Sequence, residues 1–247
     1  MDRLIYVAMT GASHIMVQQA AVTQNLANVN TTGYKAQQDS FRALPVMGDG
    51  TPTRVFAVNS TVGSDFNPGV IQTTGRDLDV SVQGKGWIAV QGTDGREAYT
   101  RSGSLEINVN GLLQTRDGLN VLGDGGPISI PPDSALTIAK DGTVSSVSTS
   151  EPGGSVVVLG RIKLVNPDDK GLIRGDDGLF RMSSGGPAPA DENVQVASGT
   201  LESSNVNTAE AMVNMINLSR QFDMQMKLLQ NAENNASKAT QLLTVSG

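Results

Sequence analysis

Both ends of this 247-residue chain carry the same long-range pattern, and it limits the fold more than anything between them. Near the N-terminus, apolar or small residues fall at Ile5, Ala8, Ala12, Ile15, Val22, Leu26 and Val29, with Gln19 in the remaining slot. Near the C-terminus they fall at Met212, Met215, Phe222, Met226, Leu229, Ala236 and Leu243, with Ser219, Glu233 and Thr240 in the other slots. Steps of three and four residues place each set on one helix face, at the period of a helix packing lengthwise against another. The first helix is predicted from residue 2, with Asp2 as N-cap, to about residue 29, a length of about 40 Å. The second is predicted from Asn207, with Glu210 three positions on as in a capping box, to about Leu243, or about 55 Å.

The remaining faces of these helices are unusual. Between Ile5 and Asn30 no residue is formally charged, and polarity comes from Gln18, Gln19, Thr23, Gln24, Asn25, Asn28 and Asn30. A helix facing water ordinarily keeps a charged outer side, so this one is expected to be covered on most sides, its amides bonding to neighbouring chains. The second helix has few charges, balanced between Glu210, Asp223, Glu233 and Arg220, Lys227, Lys238, with Asn and Gln filling its polar face.

Between the helices the pattern changes twice. Thr31-Thr32-Gly33-Tyr34 ends the first helix, and residues 31–75, with several Pro and Gly and one strand candidate at 54–58, read as an extended connector. From Arg76 the period becomes two, and turn pairs follow at Asp94-Gly95, Asn110-Gly111, Asp117-Gly118, Asp141-Gly142 and Asp177-Gly178. Short strands are predicted between them, at 98–101, 105–109, 112–115, 128–130, 136–138, 144–147, 156–159, 161–165 and 179–182. The fold class predicted is α+β: long N- and C-terminal helices paired as a coiled-coil-like bundle, with an inserted antiparallel all-β domain of barrel or sandwich type. The domains expected are residues 1–30 (N-terminal helix), 31–75 (connector), 76–200 (outer β domain) and 201–247 (C-terminal helix).

Composition narrows function by exclusion. A net charge of −6 and an isoelectric point near 4.8 argue against nucleic acid, which requires a Lys/Arg footprint. There is no apolar run long enough to span a bilayer, so membrane insertion is not expected. Cysteine is absent, which excludes disulfides and thiolate metal sites. The N-terminus lacks a sustained apolar core, so export without a cleavable signal peptide is the expectation.

Little material for chemistry remains. His14 is the only histidine and lies inside the first helix, which leaves nothing for a histidine-dependent triad or a multi-histidine metal site. Glu106 to Asp117 faintly echoes a calcium loop, but the acids at its two ends are reversed and its flanks alternate like strands, so a hairpin is expected. Gly84-Lys85-Gly86 is too short to cradle a phosphate. The pairs Asp77/Asp79 and Asp176/Asp177 are weighed as acid–base pairs for a sugar substrate and read as turn carboxylates. Trp87 is read as a core anchor, and the Met-rich seam as adaptable packing against non-identical neighbours. No catalytic, metal or cofactor site is predicted.

The motifs resemble a known family. Asn25-Leu26-Ala27-Asn28-Val29-Asn30-Thr31-Thr32-Gly33-Tyr34-Lys35 resembles the N-terminal signature of bacterial flagellar rod and hook proteins. Gly199-Thr200-Leu201-Glu202-Ser203-Ser204-Asn205-Val206-Asn207 and Arg220-Gln221-Phe222 are similar to its C-terminal signature. Leu78-Asp79-Val80, Gly86-Trp87, Tyr99-Thr100-Arg101-Ser102-Gly103 and Gly126-Pro127-Ile128 fit its β region. The resemblance is strongest to the proximal-rod branch, with the distal-rod branch as the alternative. It implies a structural subunit of the basal-body rod in the periplasm, passed outward by the flagellar type III export apparatus. Its partners would be copies of itself and other rod proteins in a helical axial assembly. The assembly interface it implies comprises Ile5, Ala8, Ala12, Ile15, Val22, Asn25, Leu26, Asn28, Met212, Met215, Ile216, Arg220, Phe222, Met226 and Leu229. A carbohydrate-binding or hydrolytic β domain on a helical stalk is the reading from a different class.

Overall fold

The computed structural model describes residues 4–45, 55–132, 134–148 and 155–245. The chain divides into two compact units, a helical one drawn from residues 1–28, 36–65 and 206–247 and a β-rich one from 29–35 and 66–205.

In the helical unit, α1 spans Leu4–Ala27 and α2 spans Thr208–Val245. Ala, Leu, Met and Gln, all good helix formers, dominate α1. The helix closes where the Asn28 N–H donates to the carbonyls of Gln24 (3.2 Å) and Asn25 (3.1 Å). At the start of α2, Asn207 Oδ1 accepts from the N–H groups of Ala209 (3.1 Å) and Glu210 (3.3 Å), the N-cap expected from sequence. Between the helices in sequence, β1 (Gln37–Pro45) and β2 (Val55–Ser64) pair antiparallel, Gln37 opposite Ser64 and Pro45 opposite Val55. The stretch read as a connector therefore contains a long hairpin. Its strand signal is diluted by polar residues on β1, Gln37, Gln38, Asp39 and Ser40, which suit a strand lying against a helix surface. α1 contacts α2 and both hairpin strands.

The β-rich unit holds short strands, among them β3 (Ile71–Thr73), β4 (Val80–Gln83), β5 (Trp87–Gln91), β6 (Glu97–Thr100), β7 (Leu105–Ile107) and β8 (Leu113–Thr115). Its largest sheet has five strands, with β5 and β6 adjacent and flanked by Leu164–Val165 on one side and by Phe180–Met182 and Leu172–Arg174 on the other. The main core gathers Val80, Ile88, Val90, Leu105, Leu113 and Val121, all fully buried. Burial of each such side chain contributes about 1.5–3 kcal/mol. A second cluster forms around Trp87, whose ring lies 4.7 Å from Phe180 and 5.7 Å from Phe66, centroid to centroid. Trp87 is thus a core anchor, as read from sequence. The Glu106–Asp117 stretch is the β7–β8 hairpin, in which Asn108 Oδ1 accepts from the N–H groups of Asn110 and Leu112, both at 2.9 Å.

The predicted fold class needs correction. Among the described residues the strands divide into seven separate sheets rather than one inserted antiparallel domain, and one of those sheets is the β1–β2 hairpin of the helical unit. The physical reason is strand length: Gly-containing turns and prolines at 127, 131 and 132 cut many strands to two to six residues, too short to carry one continuous ladder. The coiled-coil-like bundle is overturned as well. α1 is shared between α2 and the hairpin, and no coiled-coil pairing of the two helices is shown. On α2 the less exposed positions are Ala211, Met215, Leu218, Phe222, Gln225, Leu229 and Ala232, whereas Met212 and Met226, placed in the seam from sequence, stand in the open.

Candidate assembly surface and the junction of the signature segments

α1 and α2 each have a covered side and an open one. On α1, Ala8, Ala12 and Ile15 are buried, and Ile5, Val22, Asn25, Leu26 and Asn28 are half-buried. On α2, Met215, Phe222 and Leu229 are half-buried, while Met212, Ile216, Arg220 and Met226 are exposed. The fifteen residues predicted as an assembly interface thus fall into two sets. One set holds the helical unit together, and the other, Met212, Ile216, Arg220 and Met226, faces outward. Met224, of the Met-rich seam, is open as well, and sequence periodicity missed further open apolar positions, Tyr6 (67% exposed), Met9 (55%) and Met16 (59%) on α1 and Val213 and Leu228 on α2. Large apolar side chains left open in such numbers along two helices make these faces a candidate interaction surface.

Within the helical unit, Asn25 holds the hairpin to α1. Its side-chain Nδ2 donates to the Gln37 carbonyl at 2.9 Å, and its Oδ1 accepts from the Gln37 N–H at 2.8 Å. One amide thereby serves both backbone groups of the first residue of β1, as a neighbouring strand would. An amide side chain is needed for this, since neither an aliphatic nor a carboxylate group both donates and accepts in that way.

The β-rich unit contains the tails of both signature segments, and they meet. The Gly33 N–H donates to the Glu202 carbonyl at 2.7 Å, and Lys35 Nζ lies 2.6 Å from Glu202 Oε1. That same oxygen accepts from the Gly69 N–H at 2.9 Å, while Oε2 accepts from Arg101 Nη1 at 3.0 Å. Lys35 also donates to the Asn67 carbonyl (2.9 Å), and Arg101 Nη2 to the Gly84 carbonyl (2.8 Å). All three charged side chains are buried. Burial pulls the Arg101 guanidinium below its ordinary value, and the adjacent Glu202 carboxylate pulls it back up. Buried charges persist only when paired and hydrogen-bonded; each member of the triad is paired, and Arg101 Nε is the one donor of the group left without a hydrogen-bond partner among the described residues. Gly33 makes the approach feasible: it has φ +69°, and a Cβ there would run into the Arg101 carbonyl.

Lys35, Arg101 and Glu202 lie inside the family motifs, where no local pattern assigns them a role. The available signal was their charge, each the one charged residue of an otherwise uncharged motif. Of the acids weighed for chemistry, Asp177 and Asp79 have structural partners. Asp177 receives both terminal nitrogens of Arg181, at 2.9 and 2.6 Å, and that guanidinium holds its carboxyl below the usual range. Asp79 is buried against Ser104 Oγ and Arg76 Nη1, each at 3.3 Å, and Asp77 and Asp176 are exposed. His14 is half-buried within α1. Among the described residues no group of three or more His, Asp or Glu side chains is placed to hold a metal ion.

Comparison with known proteins decides the family. Residues 5–35 match the model of flagella basal body rod proteins, 81–146 the D1 domain of flagellar hook protein FlgE/F/G, and 197–242 the C-terminal region of basal body rod FlgEFG proteins. The flagellar basal-body rod protein FlgF of Escherichia coli strain K12 is 45% identical, over the full length of both chains. The chain belongs to the flagellar basal-body rod protein family. It is a structural component of the rod and not an enzyme. FlgF of Caulobacter vibrioides is 32% identical with 98% of each chain covered, and FlgG of Agrobacterium fabrum is 31% identical, covering 95% of this chain and 97% of that one. Each of the three family segments contributes one member of the buried triad, Lys35, Arg101 and Glu202 respectively. No described helix is long and apolar enough to cross a membrane.

Proposed function

We propose that this chain is a proximal-rod subunit that polymerises with copies of itself and with other rod proteins through α1 and α2. The observation that carries the reading is the open apolar side of both helices, Tyr6, Met9 and Met16 on α1 and Met212, Ile216 and Met226 on α2, on helices with few charges to hold water. The half-buried residues Ile5, Val22, Asn25, Leu26, Asn28, Met215, Phe222 and Leu229, with buried Ala8, Ala12 and Ile15, shape that surface from behind, and Arg220 edges it. Covering such surfaces by neighbours in an axial assembly would supply the burial that isolated helices lack. Passage through the flagellar type III export apparatus and residence in the periplasmic part of the basal body complete the proposal. Full-length likeness to FlgF relatives supports the proximal position, and the 31% identity to a FlgG relative favours the distal rod as the second reading. Purified basal bodies test it. A strain lacking this chain, complemented with Met212→Asp/Ile216→Asp, is expected to export the protein yet leave it out of the basal body. Normal incorporation of that variant would refute the interface.

A further inference from the structure

One cleft in the helical unit is built differently from the apolar surface around it. α1, β1 and α2 border an open cleft of about 460 Å³ lined in part by the amides of Gln18, Gln37, Asn214, Asn217 and Gln221. The one ionisable side chain in that lining is Asp39. Asp39 enters no ion pair and no side-chain hydrogen bond among the described residues, and burial pushes its carboxyl up from the ordinary range with nothing pulling it down. A carboxylate set in a ring of amides, each able to donate and accept, is a receptor for a hydrogen-bonding cation.

We infer that this cleft receives a cationic side chain, Arg220 or Lys227, from α2 of a second copy of this chain. Charge complementarity points to that occupant. α1 carries no Lys or Arg between Leu4 and Ala27, so a neighbour's α1 has no such side chain to offer. Arg220 and Lys227 are exposed, enter no ion pair among the described residues, and lie seven positions apart on one stripe of α2. Asp223 lies between them on the same helix, three residues from Arg220 and four from Lys227, and is paired with neither among the described residues. Glu97 meets Lys163 and Asp177 meets Arg181 in the β-rich unit, whereas Asp39, Arg220 and Lys227 enter no ion pair among the described residues. A guanidinium or ammonium group from a second copy would bond the amides and neutralise Asp39, giving a direction-specific contact that apolar packing alone does not supply.

The inference rests on the reading of the chain as a self-assembling rod subunit, and the test separates the two. Basal bodies bearing the wild-type chain, and others bearing Arg220→Lys, are treated with a zero-length carbodiimide, which joins a carboxyl to an adjacent amine. The expected product is a covalent dimer of this chain on a denaturing gel, with Asp39 linked by mass spectrometry to Lys227 or, in the variant, to position 220. A matching charge exchange is expected to agree: Asp39→Arg lowers incorporation at least tenfold, and adding Arg220→Asp with Lys227→Asp restores most of it. Thermal unfolding of Asp39→Asn, unchanged from wild type, confirms that the residue does not serve the fold of a single copy. Basal bodies that contain the chain but show no Asp39 link, or show Asp39 linked to a different rod protein, overturn the inference and leave the rod reading intact. Absence of the wild-type chain from basal bodies overturns both.

Discussion

Lys35 and Glu202 are 167 positions apart in the chain and 2.6 Å apart in the fold. Lys35 follows α1 closely in sequence and Glu202 precedes α2, so one buried ion pair ties together the two segments that lead out of and into the helices. Arg101, from the middle of the chain, shares the same carboxylate.

The triad should respond unequally to its deletions. Glu202→Ala removes the buried carboxylate that Lys35 and Arg101 share, and urea unfolding should show a loss of about 3–5 kcal/mol. Lys35→Ala leaves the Glu202–Arg101 pair and should cost less. The opposite order would show that the triad does not act as described.

Two glycines with similar backbone angles should behave differently. Gly118 has φ +82° and open space around it, so Gly118→Ala should cost about 1–2 kcal/mol, the strain of a left-handed residue. Gly33→Ala adds a collision with the Arg101 backbone, and its loss should exceed about 3 kcal/mol. Equal melting temperatures for the two variants would contradict the close approach.

The Asn25 bridge gives a local prediction. Asn25→Ala removes both bonds to Gln37, at a net cost of about 1–2 kcal/mol. Hydrogen exchange at the Gln37 amide should accelerate, while amides in the β-rich unit keep their protection.

Tyr99 sets an alkaline limit for the β-rich unit. Its hydroxyl donates to Glu97 Oε1 at 2.9 Å and accepts from the Ala188 N–H at 2.6 Å. Burial first, then the Glu97 carboxylate, push the phenol up from 10.0 to about 12. Above pH 10 the unfolded chain ionises while the folded one keeps its proton, so stability falls as pH rises through the window from 10 to 12. Tyr99→Phe should flatten the pH profile in that window, read by urea midpoints at fixed ionic strength, and lower stability below it by leaving the Ala188 N–H unpaired.

Burial separates two kinds of helix mutant. Ile15→Asp places a charge on the covered side of α1 and should lower the melting temperature of the isolated chain. Met9→Asp and Met16→Asp change exposed positions and should melt as wild type, yet fail to enter the basal body. Melting curves and basal-body composition together distinguish the outcomes.

Periodicity determined that there would be two long helices, because a 3.6-residue repeat is written in consecutive residues; Ala8, Ala12 and Ile15 were on the expected face. Turn chemistry likewise located hairpins such as β7–β8, since Asn-Gly pairs need only their own backbone freedom. The motifs of the two ends carried the family. Heptad spacing alone could not choose between Met212 and Ala211 as the covered residue, as both lie within one step of the same stripe and only the packing partner breaks the tie. The β1–β2 hairpin, the division of the strands into separate sheets, the meeting of Lys35, Arg101 and Glu202, and the setting of Asp39 beside the amides of α1 and α2 were decided by the tertiary structure. Each depends on contacts between residues distant in sequence, whose free energy comes from shared burial that no local pattern encodes.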